Sequence, residues 1–252
     1  MSKKFLLRIF VALLLLTAIS CKTYNVTRKE AVSIAVCDTN GVDSTIIKII
    51  QPYSDKIKGI MEEVIGYSDA TYEKGQPESA LGNFFCDLLI DFAQNKYSEF
   101  VKETPIMCLL NNGGIRSSLP IGEVKVETIY QIMPFDNTVV LIELKGSVLK
   151  KIFPVIIGKG GMPIGGLRLV LSGNELKSAS IADKPISDDE NYILITSDYL
   201  ANGGDGLSFL SDNIRYLPTG LLMRNVFIDY IKGLTAQGKT INLKTDGRIS
   251  YE

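Results

Sequence analysis

The chain has 252 residues, a net charge of −1 from 27 Lys+Arg and 28 Asp+Glu, and no histidine at all. Its basic residues are scattered, with no stripe along which a polyanion would lie, and this excludes nucleic acid as a partner. Without imidazole there is no Ser-His-Asp or Cys-His pair, no histidine base and no histidine metal ligand, so chemistry is confined to carboxylates, lysine, tyrosine or an oxygen-bound metal.

Lys3, Lys4 and Arg8 precede an apolar run from Ile9 to Leu16. That run is far short of the roughly 20 residues a spanning helix needs, so residues 1–20 read as a secretory signal. It ends in "AISC", which resembles a bacterial lipoprotein cleavage box; an ordinary cleaved signal with an incidental cysteine is the alternative. On the lipoprotein reading Cys21 carries the lipid and residues 21–30 form a tether. The protein would then be held on a membrane of the bacterial cell envelope, periplasmic or surface side, each buried methylene adding about 0.8 kcal/mol. Beyond the leader stand Cys37, Cys86 and Cys108, an odd number that allows at most one internal disulfide. The apolar settings "NFFCDLL" and "PIMCLL" predict that Cys86 and Cys108 are buried free thiols.

"AVSIAV" (31–36) reads as a first strand. Asp43 or Ser44 then caps a helix through "TIIKIIQPYSDKIKGIMEEVI", with Pro52 kinking or splitting it and Ile46, Ile49, Ile50, Tyr53, Ile57, Ile60, Met61 and Val64 at helical spacing. After a break at Gly66, a second helix is expected from about Glu78, with Leu81, Phe85, Leu88, Leu89 and Phe92 on its apolar face. "PIMCLL" is a buried strand, "VETIYQIM" a short helix and "TVVLIELKG" a strand. "SVLKKIFPVII" is a helix opened by Ser147 and disturbed by Pro154. A hairpin around "GNE" (173–175), a strand "NYILITSDYL", a last helix "LLMRNVFIDYIKGL" ended by Gly233 or Gly238, and "DGRIS" complete the chain. The irregular alternation predicts an α+β class with a mixed sheet and packed helices. "IGKGGMPIGG" (157–166) is either a mobile loop or a plain glycine-rich connection; no G-K-[ST] follows, so it is no phosphate loop.

Two glycine turns follow apolar runs: "NNGGIRSSLP" (111–120) and "SDYLANGGDGLSFL" (197–210). Glycine at a strand end lets backbone approach a ligand closely. Asn111, Asn112 and Asp205 offer hydrogen bonds to hydroxyls or ring nitrogens, Arg116 a fork for phosphate, and Phe135 and Tyr199 flat faces for a base. Taken singly, each is more simply a turn or a core aromatic. "SDDEN" (187–191) is the densest acidic run, and a solvated loop before a strand accounts for it.

Together, "ESALGNFFCDLLIDF", "NNGGIRSSLPIGEVKVETIYQIMPFDNTVVLIELKGSVLKKI" and "ITSDYLANGGDGLSFL" resemble the C-terminal, substrate-binding domain of the 5′-nucleotidase family, in the family's order, from about Ile34 to Gly247. The resemblance implies one such domain over residues 31–252. It also implies that Phe135 and Tyr199 sandwich a nucleobase, Asn111 contacts base or ribose, Asp205 the ribose hydroxyls and Arg116 the phosphate. Gly113, Gly114, Asn137, Asn202 and Gly204 belong to the same implied substrate site. Tyr199 stands where the family commonly has phenylalanine, and Gly75 where it often has an arginine; neighbouring Lys74 is no substitute for an arginine fork. The family's metal signatures D-x-H, G-D-x-x-D and G-N-H-[DE] do not occur in these 252 residues. The expectation is therefore a chain that recognises a nucleotide or nucleoside, with no catalytic residue and no cofactor of its own. Divalent metals would lie in a separate metallophosphoesterase chain. The alternatives are a non-catalytic nucleoside-binding envelope lipoprotein, a scaffold that has lost its ligand, and an enzyme working alone with carboxylates.

Overall fold

A computed structural model describes Phe5, residues 28–31 and residues 43–252. The leader, Cys21, Cys37 and all but the first residue of the "AVSIAV" strand lie outside the described residues. The chain divides into two units, Met1–Ile49 and Ile50–Glu252. Helix α1 (Ser44–Met61) is capped by Asp43, whose carboxylate accepts from the amides of Thr45 (2.8 Å) and Ile46 (3.3 Å). Pro52 lies inside it without ending it, and its isoleucines are exposed. The helix is shorter than the spacing predicts. Val64 belongs not to the helix but to strand β1 (Val64–Ser68), where Gly66 lies against Ile231, leaving no room for a Cβ.

The remaining elements follow in chain order: α2 (Ala80–Lys96), α3 (Ser98–Val101), β2 (Ile106–Leu109), β3 (Gly122–Lys125), α4 (Val126–Ile132), β4 (Thr138–Lys145), α5 (Gly146–Leu149) and α6 (Ile152–Gly158). Then come β5 (Ile164–Gly165), β6 (Leu167–Ser172), β7 (Glu175–Ile181), β8 (Lys184–Pro185), β9 (Asn191–Ser197), α7 (Asp198–Ala201), β10 (Arg215–Leu222), α8 (Met223–Ala236) and β11 (Ile249–Tyr251). Ser79 opens α2, its hydroxyl accepting from the Gly82 amide at 3.1 Å.

The central sheet has strand order β10-β4-β9-β2-β5, with β9 and β2 parallel and the other neighbours antiparallel. A second sheet runs β11-β6-β7-β8, and β1 pairs with β3. The class is thus α+β with mixed sheets, as predicted. Alternate residues of the central strands feed two cores, as the two-residue repeat of a strand requires. Cys108, Val139, Leu141, Ile193 and Ile195 pack with α2 and α8 through Phe85, Leu88, Phe227 and Ile231. Met107, Leu109, Val140, Ile142 and Leu194 pack on the opposite side with α5, α6 and the second sheet through Leu149, Ile152, Phe153 and Leu169. Phe85 and Phe227 stack at 4.4 Å between ring centroids. Cys86 and Cys108 are both free and buried, as their settings predict.

Three local expectations are corrected. "SVLKKIFPVII" forms two short helices divided at Lys150–Lys151, before Pro154, which sits in the first turn of α6 where a missing N–H costs nothing. Leu221 and Leu222 end strand β10 rather than beginning the last helix, which starts at Met223. Strand β9 stops at Ser197, and Tyr199 lies in the helical turn α7, whose Leu200 amide is held by the Ser197 hydroxyl at 3.2 Å.

Candidate functional site

Strand directions bring four chain segments to one edge of the central sheet. Strands β2 and β9 run parallel with Cys108 opposite Ile195, so the turns beginning at Asn111 and Asp198 emerge side by side. Strand β4 runs against β9, with Val139 opposite Ser197, so its entry residues Phe135 and Asn137 arrive at the same edge. Strand β5 runs against β2, with Ile164 opposite Leu109, which places Lys159 and Met162 there too. The region beyond the carboxyl ends of parallel strands is the usual ligand position in such sheets.

The resulting cleft, about 570 Å³, is lined by Gln76, Asn111, Asn112, Gly113, Gly114, Phe135, Asn137, Lys159, Met162, Tyr199 and Asp205. Seven of the ten sequence-predicted binding residues are therefore together in one wall set. Phe135 is 49% and Tyr199 46% exposed, although large aromatics ordinarily bury their rings, and among the described residues neither packs on another aromatic. Gly204 does not line the cleft but explains the Tyr199 ring position: a Cβ there would stand 2.6 Å from two ring atoms, so only glycine lets the turn lie against the ring. Asn202 is exposed outside the cleft. Arg116 is exposed near the cleft, its guanidinium 6.0 Å from the Phe135 ring centroid and donating to the Gly113 carbonyl at 3.4 Å.

Each wall is tied to its neighbours. The Asn112 side-chain amide donates to the Gly161 carbonyl at 2.9 Å, and the Leu110 amide to Pro163 at 3.0 Å. Gln76 donates to the carbonyls of Lys159 and Gly161, clamping the 157–166 segment from above. Gly161 has φ +111°, and a Cβ on it would meet the Pro77 carbonyl at 2.2 Å, so this glycine is required for the segment to approach so closely. Arg224, buried under the Phe135 turn, donates to the Met133 and Phe135 carbonyls at 3.2 and 3.3 Å and pairs with Asp136 at 2.6 Å. Asp198 accepts from the Thr138 amide at 3.0 Å, joining the β4 entry to the Tyr199 turn.

Asp205 stands at φ +57°, a left-handed conformation rare for a residue with a side chain, directly after Gly203 and Gly204. Its Oδ1 lies 3.1 Å from Lys159 Nζ and 3.5 Å from the Tyr199 hydroxyl. Sequence reasoning missed Gln76, Lys159 and Met162 as wall residues. The one available signal was a lysine bracketed by glycines in "IGKGG". The acidic run 188–190 is exposed, with Asp188 paired to Lys150 at 2.7 Å, as a solvated loop requires.

Fold and cleft together define an α+β domain with a candidate site built from aromatic faces, backbone turns and one carboxylate. The chain belongs to the 5′-nucleotidase C-terminal domain family, which it matches over residues 59–212. It is 30% identical over 196 residues to human 5′-nucleotidase, covering 69% of this chain and 33% of that protein. To the trifunctional nucleotide phosphoesterase protein of Bacillus subtilis it is 24% identical, covering 79% of this chain and 14% of the relative. Among solved structures it superposes on a 5′-nucleotidase precursor from Thermus thermophilus with a TM-score of 0.69 and 25% identity, covering 81% of this chain and 42% of that one. A likeness to Haemophilus influenzae NAD nucleotidase, at 19% identity and a TM-score of 0.62, concerns the fold alone. The chain spans about two fifths or less of each of these relatives. The metal centre implied by the family finds no ligand set here: the sequence has no histidine, and among the described residues no three Cys, Asp or Glu side chains cluster.

Proposed function

We propose that this chain is the nucleotide-recognising part of a 5′-nucleotidase-type hydrolase system, binding base and ribose while a separate metallophosphoesterase chain supplies catalysis in nucleotide catabolism. The observation that carries the reading is the pair of half-exposed aromatics, Phe135 and Tyr199, in one cleft with Asn111, Asn137 and Asp205. A base between the rings is held by stacking, Asp205 accepts from sugar hydroxyls, and Arg116 beside Phe135 meets a 5′-phosphate. Holding the sugar and base fixes where the phosphate projects, which is the positioning a partner's metals need to deliver an activated water to phosphorus. The test is a calorimetric titration with matched nucleosides and 5′-monophosphates. Wild type is expected to bind both, and Arg116→Ala to weaken nucleotides by roughly tenfold while changing nucleosides little. A chain that binds neither, or an Arg116→Ala variant that weakens both equally, contradicts it.

A further inference from the structure

Helix α1 (Ser44–Met61) carries an apolar stripe that neither the cleft nor the core accounts for. At 3.6 residues per turn, Ile46, Ile49, Ile50, Tyr53, Ile57 and Ile60 fall within roughly 100° of arc on one side. All six are between 51% and 71% exposed, whereas Met61, at the helix end, packs against the core of α2 and α8. A single exposed apolar side chain is ordinary; six in one row along a helix mark a surface that meets something apolar. No helix among the described residues is long and apolar enough to cross a membrane, so the stripe is not part of a span.

The charges around the stripe point to what covers it. Lys56 borders it on one side, and Ile47 followed by Lys58 on the other. Asp55 lies on the opposite side, its Oδ1 accepting from the Gln51 side chain at 2.7 Å. Lys48, Lys56 and Lys58 against Asp55 give the helix a net charge of +2, three lysines less one aspartate, in a chain whose net charge is −1. Lys58 also meets Glu62 at 3.7 Å, but with 69% and 51% of the side chains exposed this pair is weak. A second copy laid stripe to stripe would bring no carboxylate to these lysines, because neither border of the stripe within the helix has one. Anionic headgroups would, since lysine stems lie along apolar surface while their ammonium groups reach phosphate. Pro52 fits the same orientation. It removes the hydrogen bond to the Lys48 carbonyl, and both residues lie away from the stripe, where water rather than hydrocarbon receives the freed carbonyl. We propose that α1 is an interfacial helix that lies flat on an anionic bilayer surface, its isoleucine stripe at the acyl boundary and its lysines at the headgroup phosphates. The inference is independent of any lipid on Cys21 and of what the cleft binds.

The experiment sediments the full chain with vesicles of phosphatidylcholine alone, or of equal parts phosphatidylcholine and phosphatidylglycerol. Every protein carries Cys21→Ala, so that none is lipidated there, and all share the same leader. The Cys21→Ala chain is expected to bind the mixed vesicles. Replacing Ile50 and Ile57 together by serine is expected to weaken that binding by roughly 10- to 100-fold. Replacing Lys56 and Lys58 together by glutamine is expected to weaken it by roughly 10- to 30-fold on mixed vesicles, and little on neutral ones. All four side chains are exposed or border the stripe, so the thermal midpoint is expected to stay unchanged in both variants. Gln51→Ala, on the opposite side, is expected to bind as the parent does. A parent that does not bind vesicles, or a serine or glutamine variant that binds mixed vesicles as tightly as the parent, overturns the proposal. If the lipid-free parent sediments as a dimer that the serine variant splits, the stripe belongs to a second copy and the membrane role falls.

Discussion

Phe135 and Tyr199 occupy the positions where a single substitution says most. Each residue is about half exposed, so its truncation removes only part of the buried surface that a core aromatic would lose. Base stacking on one aromatic contributes roughly 1–3 kcal/mol, or about a five- to 150-fold change in affinity. Phe135→Ala and Tyr199→Ala are each expected to weaken nucleoside binding by that order, measured by calorimetry, with small changes in melting temperature. Tyr199→Phe is expected to bind nearly as wild type, because the ring is kept and the hydroxyl sits 3.5 Å from Asp205. Alanine variants that melt early yet bind normally would show that both rings serve packing alone. These two residues were legible in the sequence because each stands beside a glycine- or proline-marked turn at a strand end. Lys159 was not, since a lysine in a glycine-rich segment looks the same whether the segment is free or folded over a cleft. Only the pairing of β5 with β2 brings it to the site.

At the scale of elements, the sequence showed the buried strands and longer helices, whose apolar repeats are local. It did not show β1, β3 or β10, whose faces are partly exposed and whose partners are far away in the chain. One long-range tie holds the ends of the fold together. Arg248, at the entry to β11, binds Asp87 of α2 in two-pronged fashion at 2.7 and 2.6 Å, donates to the Ile164 carbonyl of β5 at 2.9 Å and pairs with Asp246 at 2.9 Å. Burial alone pushes the Asp246 carboxyl up, but hydrogen bonding to Arg248 and the charges of Arg248 and Arg168 outweigh it and hold the group below the usual carboxylate range. A carboxylate whose folded-state value is depressed stabilises the fold fully above its unfolded value, and that stabilisation is lost as pH falls through the folded value. Melting temperature from neutral pH downward is therefore expected to fall more steeply below about pH 4 in wild type than in Asp246→Asn. Parallel curves would show that the pair contributes nothing to acid stability.

On the scale of the whole molecule, the proposed function divides recognition from hydrolysis. The sheet edge supplies two aromatic faces, amide side chains and a lysine–aspartate pair, all suited to holding a nucleoside. The same 252 residues contain no histidine and none of the family's metal signatures. On the proposed division of labour, recognition and hydrolysis are separate properties. Equilibrium dialysis of labelled AMP against the purified chain, with manganese present, reads both at once. AMP is expected to be enriched on the protein side and recovered intact at the end. Adenosine and phosphate formed in proportion to the protein, and abolished by mutating one of its carboxylates, would contradict it, as would the absence of any enrichment.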